Sequence, residues 1–279
     1  MQIKHTPKTR ESTPVVGIIG GKGRMGNWFS RFFDSIGLKV HISDLDTELR
    51  PEDLPALCQV VIISTPMDVF PKVVKKVAPL MAKDAFLTDL CSLKLTQVKC
   101  MLQYAPCEVV GTHPLFGPAE SSLSGKRVAI CPGRGKRWLC WWEGLLKKHG
   151  AFTYITTAEE HDRTMAWVQA LNHFILLCLG KAMEENELDL EKLITLGTPS
   201  FERQMQIVAR LAMQDPALYS FIQMENPYAD NAIKSFKKYG DILADIINRK
   251  DKTAFIDLFM EVQELGEILL EHEKKDSGS

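Results

Sequence analysis

The sequence predicts an α/β fold: a doubly wound parallel sheet of Rossmann type, followed by an all-α helical domain. Three observations predict it. β-Branched apolar runs alternate with amphipathic stretches from residue 14 to residue 155, the first run ends in a glycine-rich turn, and no convincing strand pattern follows residue 155. Such alternation implies parallel pairing, because a parallel neighbour needs a crossover that is usually a helix. The predicted domains are residues 14–155 and 156–279, after an extended or disordered segment over residues 1–13.

Pro14-Val15-Val16-Gly17-Ile18-Ile19 reads as the first strand, and residues 24–36, apolar at 25, 28, 29, 32, 33 and 36, as an amphipathic helix. Between them Gly21, Gly23 and Gly26 satisfy G-x-G-x-x-G, with Lys22, Arg24 and Met25 in the spaces. One glycine of such a set makes the turn, one lets backbone approach a pyrophosphate, and one permits close helix–sheet contact, with the phosphates at the helix N-terminus. A second strand over residues 38–43 ends at Asp44, 18 residues after Gly26 and placed to accept from a ribose hydroxyl. Asp44 would repel a 2′-phosphate, which favours NAD over NADP, while the cations Lys22 and Arg24 pull the other way. An ordinary glycine-rich turn would not require strand, turn, helix, strand and acid in this order.

Further strands are predicted at residues 59–64, 85–89, 108–112, 128–131 and 152–155, and helices at 67–81, 93–104 and 136–149, the last ended by Gly150. Thr157-Ala158-Glu159-Glu160 has the form of a capping box opening a helix to residue 185. Thr198-Pro199 opens another through residue 214, Asp215-Pro216 is an N-cap with proline at N1, and helices follow from about residues 228 and 252. The run Phe174-Ile175-Leu176-Leu177, with Leu179, is apolar all round. Such a helix must be surrounded by others, more than one chain supplies, so a homodimer through the helical domain is expected.

Composition removes several classes of function. With 45% hydrophobic and 25% charged residues, the chain of 279 residues reads as an ordinary soluble globular protein, and its formal net charge of -1 gives no hint of nucleic acid or of an anionic membrane surface. Lys4, Lys8 and Arg10 precede no apolar stretch of a secretory signal, and no run of ~20 apolar residues can span a bilayer, so a cytoplasmic location is expected. Seven scattered cysteines without a C-x-x-C pair form neither a disulfide framework nor a zinc site, and no metal is expected. Most of them read instead as small buried hydrophobes. The polar tail, residues 274–279, is expected to fray.

Ligands of a doubly wound sheet sit outside the carboxyl ends of its strands. The loops there supply Ser64-Thr65-Pro66, Asp89-Leu90-Cys91-Ser92-Leu93-Lys94, and His113 in the stiff loop Gly111-Thr112-His113-Pro114-Leu115-Phe116-Gly117-Pro118. A neutral imidazole can take a hydroxyl proton near neutrality as hydride leaves a carbinol, which gives His113 the role of base in an NAD-dependent oxidation. Ser92 either fixes that imidazole or the substrate oxygen, or caps a helix. Lys94 either holds an anion or is a solvated surface charge. Arg203 and Arg210, seven apart, share one helix face with Gln206 between them, as an anion clamp or a solvated stripe. His161 and His173, twelve apart, lie ~120° apart on a regular helix and are not expected to serve one point. His161 reads as structural, and His173 as a core histidine or a substrate contact.

Together these residues resemble the prephenate dehydrogenase family. The matching pieces are the glycine loop, the Asp89 to Lys94 loop, the His113 loop, Glu160-His161-Asp162 continuing to Gln169-Ala170-Leu171-Asn172-His173-Phe174, and Val208-Ala209-Arg210-Leu211-Ala212 before Asp215-Pro216. The resemblance implies an NAD-binding domain, a helical dimerisation domain, and oxidative decarboxylation of prephenate to 4-hydroxyphenylpyruvate and CO2 in tyrosine biosynthesis. It implies that His113 hydrogen-bonds the ring hydroxyl with Ser92 beside it, that Arg210 binds a substrate carboxylate, and that His173 lies near the substrate side chain. Glu202 stands where some relatives have a second arginine, and Ala119 where others hold an acid, with Glu120 adjoining. The first strand begins near residue 14, so neither a mutase domain ahead of it nor an added regulatory domain behind the helices is expected. The competing readings are an arogenate or dual cyclohexadienyl dehydrogenase and a non-catalytic NAD-sensing regulator. A β-hydroxyacid dehydrogenase would match only the first half and uses a lysine where the long helix has histidines.

Overall fold

The computed structural model describes residues 13–186 and 188–277, with side chains as far as residue 271. The predicted N-terminal segment lies outside the described residues except for Thr13. Seven strands form one sheet in the order β2-β1-β3-β4-β5-β6-β7. They are β1 Val16–Ile19, β2 Val40–Ser43, β3 Val60–Ile63, β4 Phe86–Asp89, β5 Glu108–Pro114, β6 Arg127–Arg134 and β7 Phe152–Ile155. β3 is Val-Val-Ile-Ile and wholly buried, as a central strand covered on both faces must be.

Successive side chains leave a strand on opposite faces, so each strand feeds two cores. Val60 and Ile62 join Phe29 and Phe33 of α1 (Arg24–Ser35) and Trp142 of α5 (Arg137–Lys148). Val61 and Ile63 join Phe70 and Val74 of α3 (Phe70–Val77) and Met101 of α4 (Leu95–Tyr104). A short α2 (Leu54–Leu57), preceded by a 3-10 turn at Pro51–Asp53, was not predicted; it caps the second core with Leu54. The fold class is as predicted, with one antiparallel pairing, β5 with β6. The residues between these strands contain no helix to carry a crossover, so the chain doubles back. That pairing also extends β5 beyond the predicted end at Thr112, setting His113 opposite Ala129 and Pro114 opposite Val128.

All further elements are helical. α6 (Ala158–Met165), a π-helical segment (Ala166–Leu171) and α7 (Asn172–Glu185) make one run with the predicted limits. The Thr157 hydroxyl accepts from the Glu160 nitrogen at its start, as the capping box requires. α8 (Leu190–Thr195) is an unpredicted addition; α9 (Pro199–Ala212) and α10 (Pro216–Met224) start at the predicted Thr198 and Asp215 caps. By compactness the chain divides into residues up to Tyr228 and residues from Ala229 onward, the latter holding α11 (Ala229–Asn248) and α12 (Lys252–Ser277). The tail predicted to fray keeps a helical backbone to Ser277.

The loop after β4 is fastened to β5 by a buried ion pair. Lys94 is fully buried, and its Nζ donates to Asp89 Oδ2 and, at 2.8 Å, to the Thr112 carbonyl. Asp89 also accepts from the nitrogens of Cys91 (2.9 Å) and Thr112 (3.2 Å). Lys94 is therefore neither an anion holder nor a solvated charge: its acid partner five residues back and a strand carbonyl satisfy it inside the core. Removing one member of such a pair strands a buried charge, so Lys94→Met should lower stability by about 3–5 kcal/mol in urea denaturation. Asp89→Asn combined with Lys94→Met should recover part of that loss.

Candidate active site

In the strand order β2-β1-β3 the chain reverses direction of travel at β1, so a crevice opens where the loops after β1 and β3 part. The β1 loop is shaped by glycine. Gly20 has φ +80°, open to glycine at little cost, and a Cβ there would lie 2.5 Å from the Ser64 carbonyl oxygen. A Cβ on Gly26 would collide with the Gly20 carbonyl, so Gly26 alone allows α1 to start this close to the turn. The left-handed turn thus falls at Gly20, one residue ahead of the predicted triplet, and Gly23 is the N-cap of α1 with no side chain capping it. Gly20 and Gly21 are tied to the Ser43 carbonyl at 2.8 and 3.4 Å.

Asp44 ends β2 beside this loop, its Oδ2 accepting from the Lys22 nitrogen at 2.8 Å and its Oδ1 from the Leu45 nitrogen at 2.8 Å. Two of its roughly four lone-pair sites remain. The Lys22 amine, 2.8 Å from Asp46, is neutralised there. Across the crevice, Ser64 is fixed by its nitrogen to the Ile19 carbonyl at 2.8 Å, and Thr65 Oγ1 is buried without a partner among the described residues. Uncapped N–H groups, a glycine cradle, a free acid and an orphaned hydroxyl are what a dinucleotide phosphate and ribose would satisfy.

His113 does not lie in a loop. It is the penultimate residue of β5 and 3% exposed. Its Nδ1 lies 2.9 Å from Nε2 of His161, whose Nδ1 lies 2.7 Å from Asp162 Oδ1. Asp162 also accepts from the nitrogens of Lys94 and Leu95, both at 2.8 Å, which caps α4, and Asn226 Nδ2 donates to the Asp162 carbonyl at 2.8 Å. His161 and Asp162 are 2% and 1% exposed. Burial, then His161 and then Lys94, hold the His113 imidazole well below its usual range, so it is neutral at pH 7.

His173 is 9% exposed, packs on the Tyr219 ring at 4.4 Å between centroids, and has a buried Nδ1 without a partner among the described residues. Burial pushes its pKa down to about 4. One turn earlier, Gln169 Oε1 is likewise buried and unpartnered. The ~120° divergence expected of His161 and His173 assumes a regular helix, and a π segment lies between them.

The other expected residues meet less completely. Ser92 is part-exposed in the loop after β4 and makes no hydrogen bond to His113; His161 takes that place. Arg210 is exposed on α9, with no partner for its guanidinium among the described residues, and Arg203 Nε turns back to the Pro199 carbonyl at 3.3 Å. The Glu120 carboxylate pairs with Lys126 at 2.5 Å. His161, read as structural, proves to be the partner of His113, with Asp162 on its other nitrogen; their adjacency in Glu160-His161-Asp162 was the available signal. No cluster able to hold a metal occurs among the described residues, and Cys58, Cys91, Cys107 and Cys131 are buried free thiols. The described helices include none long and apolar enough to cross a membrane.

Two family models match the chain: prephenate dehydrogenase, nucleotide-binding domain, over residues 40–155, and prephenate dehydrogenase, dimerization domain, over residues 157–261. The first match begins after the glycine loop, which the geometry alone describes. The chain is 34% identical over 255 residues to the T-protein of Enterobacter agglomerans, covering 91% of this chain and 68% of that protein. It is 29% identical over 266 residues to the probable arogenate/prephenate dehydrogenase of Methanocaldococcus jannaschii, covering 88% of this chain and 60% of that one. The fold superimposes on prephenate dehydrogenase from A. aeolicus, solved with hydroxyphenyl propionate and NAD+, with TM-score 0.71, 23% identity, and coverage of 90% and 96%. Arogenate dehydrogenase from Synechocystis follows with TM-score 0.66, 18% identity, and coverage of 89% and 96%. The chain belongs to the prephenate/arogenate dehydrogenase family.

Proposed function

We propose that the chain catalyses the NAD-dependent oxidative decarboxylation of prephenate to 4-hydroxyphenylpyruvate and CO2, as a homodimer. The observation that carries this reading is a buried, neutral His113 whose Nδ1 is occupied by His161, leaving Nε2 as the one nitrogen able to accept a proton. In this reading Gly21, Gly23, Gly26 and the α1 N-terminus hold the pyrophosphate, Asp44 the ribose, and Ser64-Thr65-Pro66 the facing wall, with Lys22, Arg24 and Met25 lining the turn. The pairing of Lys22 with Asp46 leaves carboxylates to face a 2′-phosphate, which supports NAD over NADP.

Bound NAD supplies the hydride acceptor. His113 Nε2 takes the ring hydroxyl proton as the carbon beneath it loses hydride; the bond to the ring carboxylate then breaks, CO2 leaves, and the ring becomes aromatic. The proton held on His113 returns to the phenolate oxygen, so protons balance. Aromatisation supplies much of the driving force, and the protein mainly positions groups and bears charge. Ser92 is assigned to the hydroxyl beside His113, and Arg210 to a substrate carboxylate through a bidentate guanidinium.

Prephenate rather than arogenate is supported by the surroundings of His173. Burial alone lowers this imidazole, and the Tyr219 phenol is raised by burial with the Arg24 cation opposing. Neither ring has a carboxylate partner among the described residues, so the site suits a keto oxygen better than the ammonium that arogenate carries. The proposed domains are residues 14–155 for cofactor and 156–279 for substrate and dimerisation. Their helices leave Leu177 of α7, Ile207 of α9 and Phe255, Phe259 and Met260 of α12 exposed in the single chain. The dimerization-domain match supports a second copy as their cover.

Purified protein with NAD should form NADH with prephenate and far more slowly with arogenate; no NADH with either would sink the reading. His113→Asn should abolish turnover while NAD affinity, measured by calorimetry, barely changes. Because His113 titrates below its ordinary 6.5, kcat/KM should stay level from neutrality down to that pH and fall only at lower pH, as protonation removes the acceptor. An acid limb at or above pH 6.5 would contradict the assignment. Arg210→Ala should raise KM roughly 10- to 100-fold with little change in kcat, the size of a lost charged hydrogen bond; an unchanged KM would return Arg210 to a solvated stripe.

A further inference from the structure

We propose that His161 and Asp162 are positioning residues that lock His113 in the tautomer carrying its proton on Nδ1, with Nε2 bare. The inference rests on His113 being the base and adds what makes it one. Asp162 is a carboxylate at the N-terminus of α4 that accepts from the nitrogens of Lys94 and Leu95 and lies 2.7 Å from His161 Nδ1. An ionised carboxylate has no proton to give, so His161 Nδ1 must donate. We take His161 as the neutral imidazole; its other nitrogen is then a lone pair, so His161 Nε2 accepts across the 2.9 Å contact and His113 Nδ1 donates to it.

With His161 neutral, the polarity of the whole chain is set at its far end by one acid, and this tautomer of His113 satisfies all three residues. All three are buried, so no water competes for these bonds. When His113 takes a proton on Nε2, its Nδ1–H bond to a neutral acceptor strengthens, which stabilises the imidazolium without moving either ring. The α4 cap adds position to polarity, because it fixes Asp162, and through it His161, to the loop that bears Ser92. A histidine read only as packing would not need its hydrogen-bond polarity specified.

The test compares His161→Gln with His161→Met. Glutamine keeps an acceptor for His113 Nδ1 and a donor for Asp162; methionine keeps only bulk. His161→Gln should retain kcat within about tenfold of the parent, and His161→Met should lose kcat on the order of 10²- to 10⁴-fold with the KM for prephenate unchanged. Nitrogen-15 spectra of histidine-labelled protein at neutral pH should show the His113 proton on Nδ1 in the parent and in His161→Gln, a result that stands even where His161→Met does not fold. A His113 proton on Nε2 in the parent, or a fully active His161→Met, overturns the proposal. A fully active His113→Asn would sink the base assignment instead, so the two failures are distinguishable.

Discussion

Asp162 is a carboxylate with almost no exposure to water, and a buried charge of that kind persists only when its lone pairs are filled. Two of its bonds come from the first N–H groups of α4 and one from His161, so one residue joins the start of the helical half to the carboxyl end of the sheet. Lys94 takes part twice. Its backbone nitrogen feeds Asp162, while its side chain runs to Asp89 and to the carbonyl of Thr112, the neighbour of His113. Thr112 is held further, its hydroxyl within 2.9 Å of the Thr88 hydroxyl and 3.0 Å from Trp142 Nε1. The backbone and the ring of His113 are consequently fixed by separate networks that meet at Lys94.

This arrangement suits the strand end to carry the proposed base. A base must stand in one orientation at hydrogen-bond distance from its proton, and a residue paired across two strands holds that orientation better than one in an open turn. The loop that follows is also restrained. Phe116 packs edge-on against Trp28 at 5.0 Å, and Trp28 Nε1 donates to the Glu120 carbonyl at 2.6 Å. Those aromatic contacts tie the segment after His113 to the helix whose N-terminus faces the dinucleotide crevice.

The sheet was legible because buried parallel strands leave continuous β-branched runs, as in Val60-Val61-Ile62-Ile63, and because glycine and an acid mark the β1–α1–β2 unit. The caps at Thr157, Thr198 and Asp215 were legible for a local reason: short side chains at these positions accept from nitrogens two or three residues on. What escaped was decided by groups far apart in sequence. His113 became part of β5 because β6 returns antiparallel and pairs with it. Lys94 became buried because Asp89 and Thr112 converge on it. The turn between His161 and His173 is π-helical, which 100° per residue does not anticipate and no residue type among Ala166–Leu171 announces. Arg210 showed its chemistry but not its target, since the guanidinium is exposed on a helix without buried side chains.

The central claim is that His113, held by His161 and Asp162, presents Nε2 to the hydroxyl of the ring. A crystal structure of the chain with NAD and a hydroxyphenyl propionate analogue measures this directly. The account predicts the phenol oxygen within about 2.6–3.2 Å of His113 Nε2, with His161 still on Nδ1. A phenol oxygen bound elsewhere, with His113 Nε2 turned into protein, would contradict it.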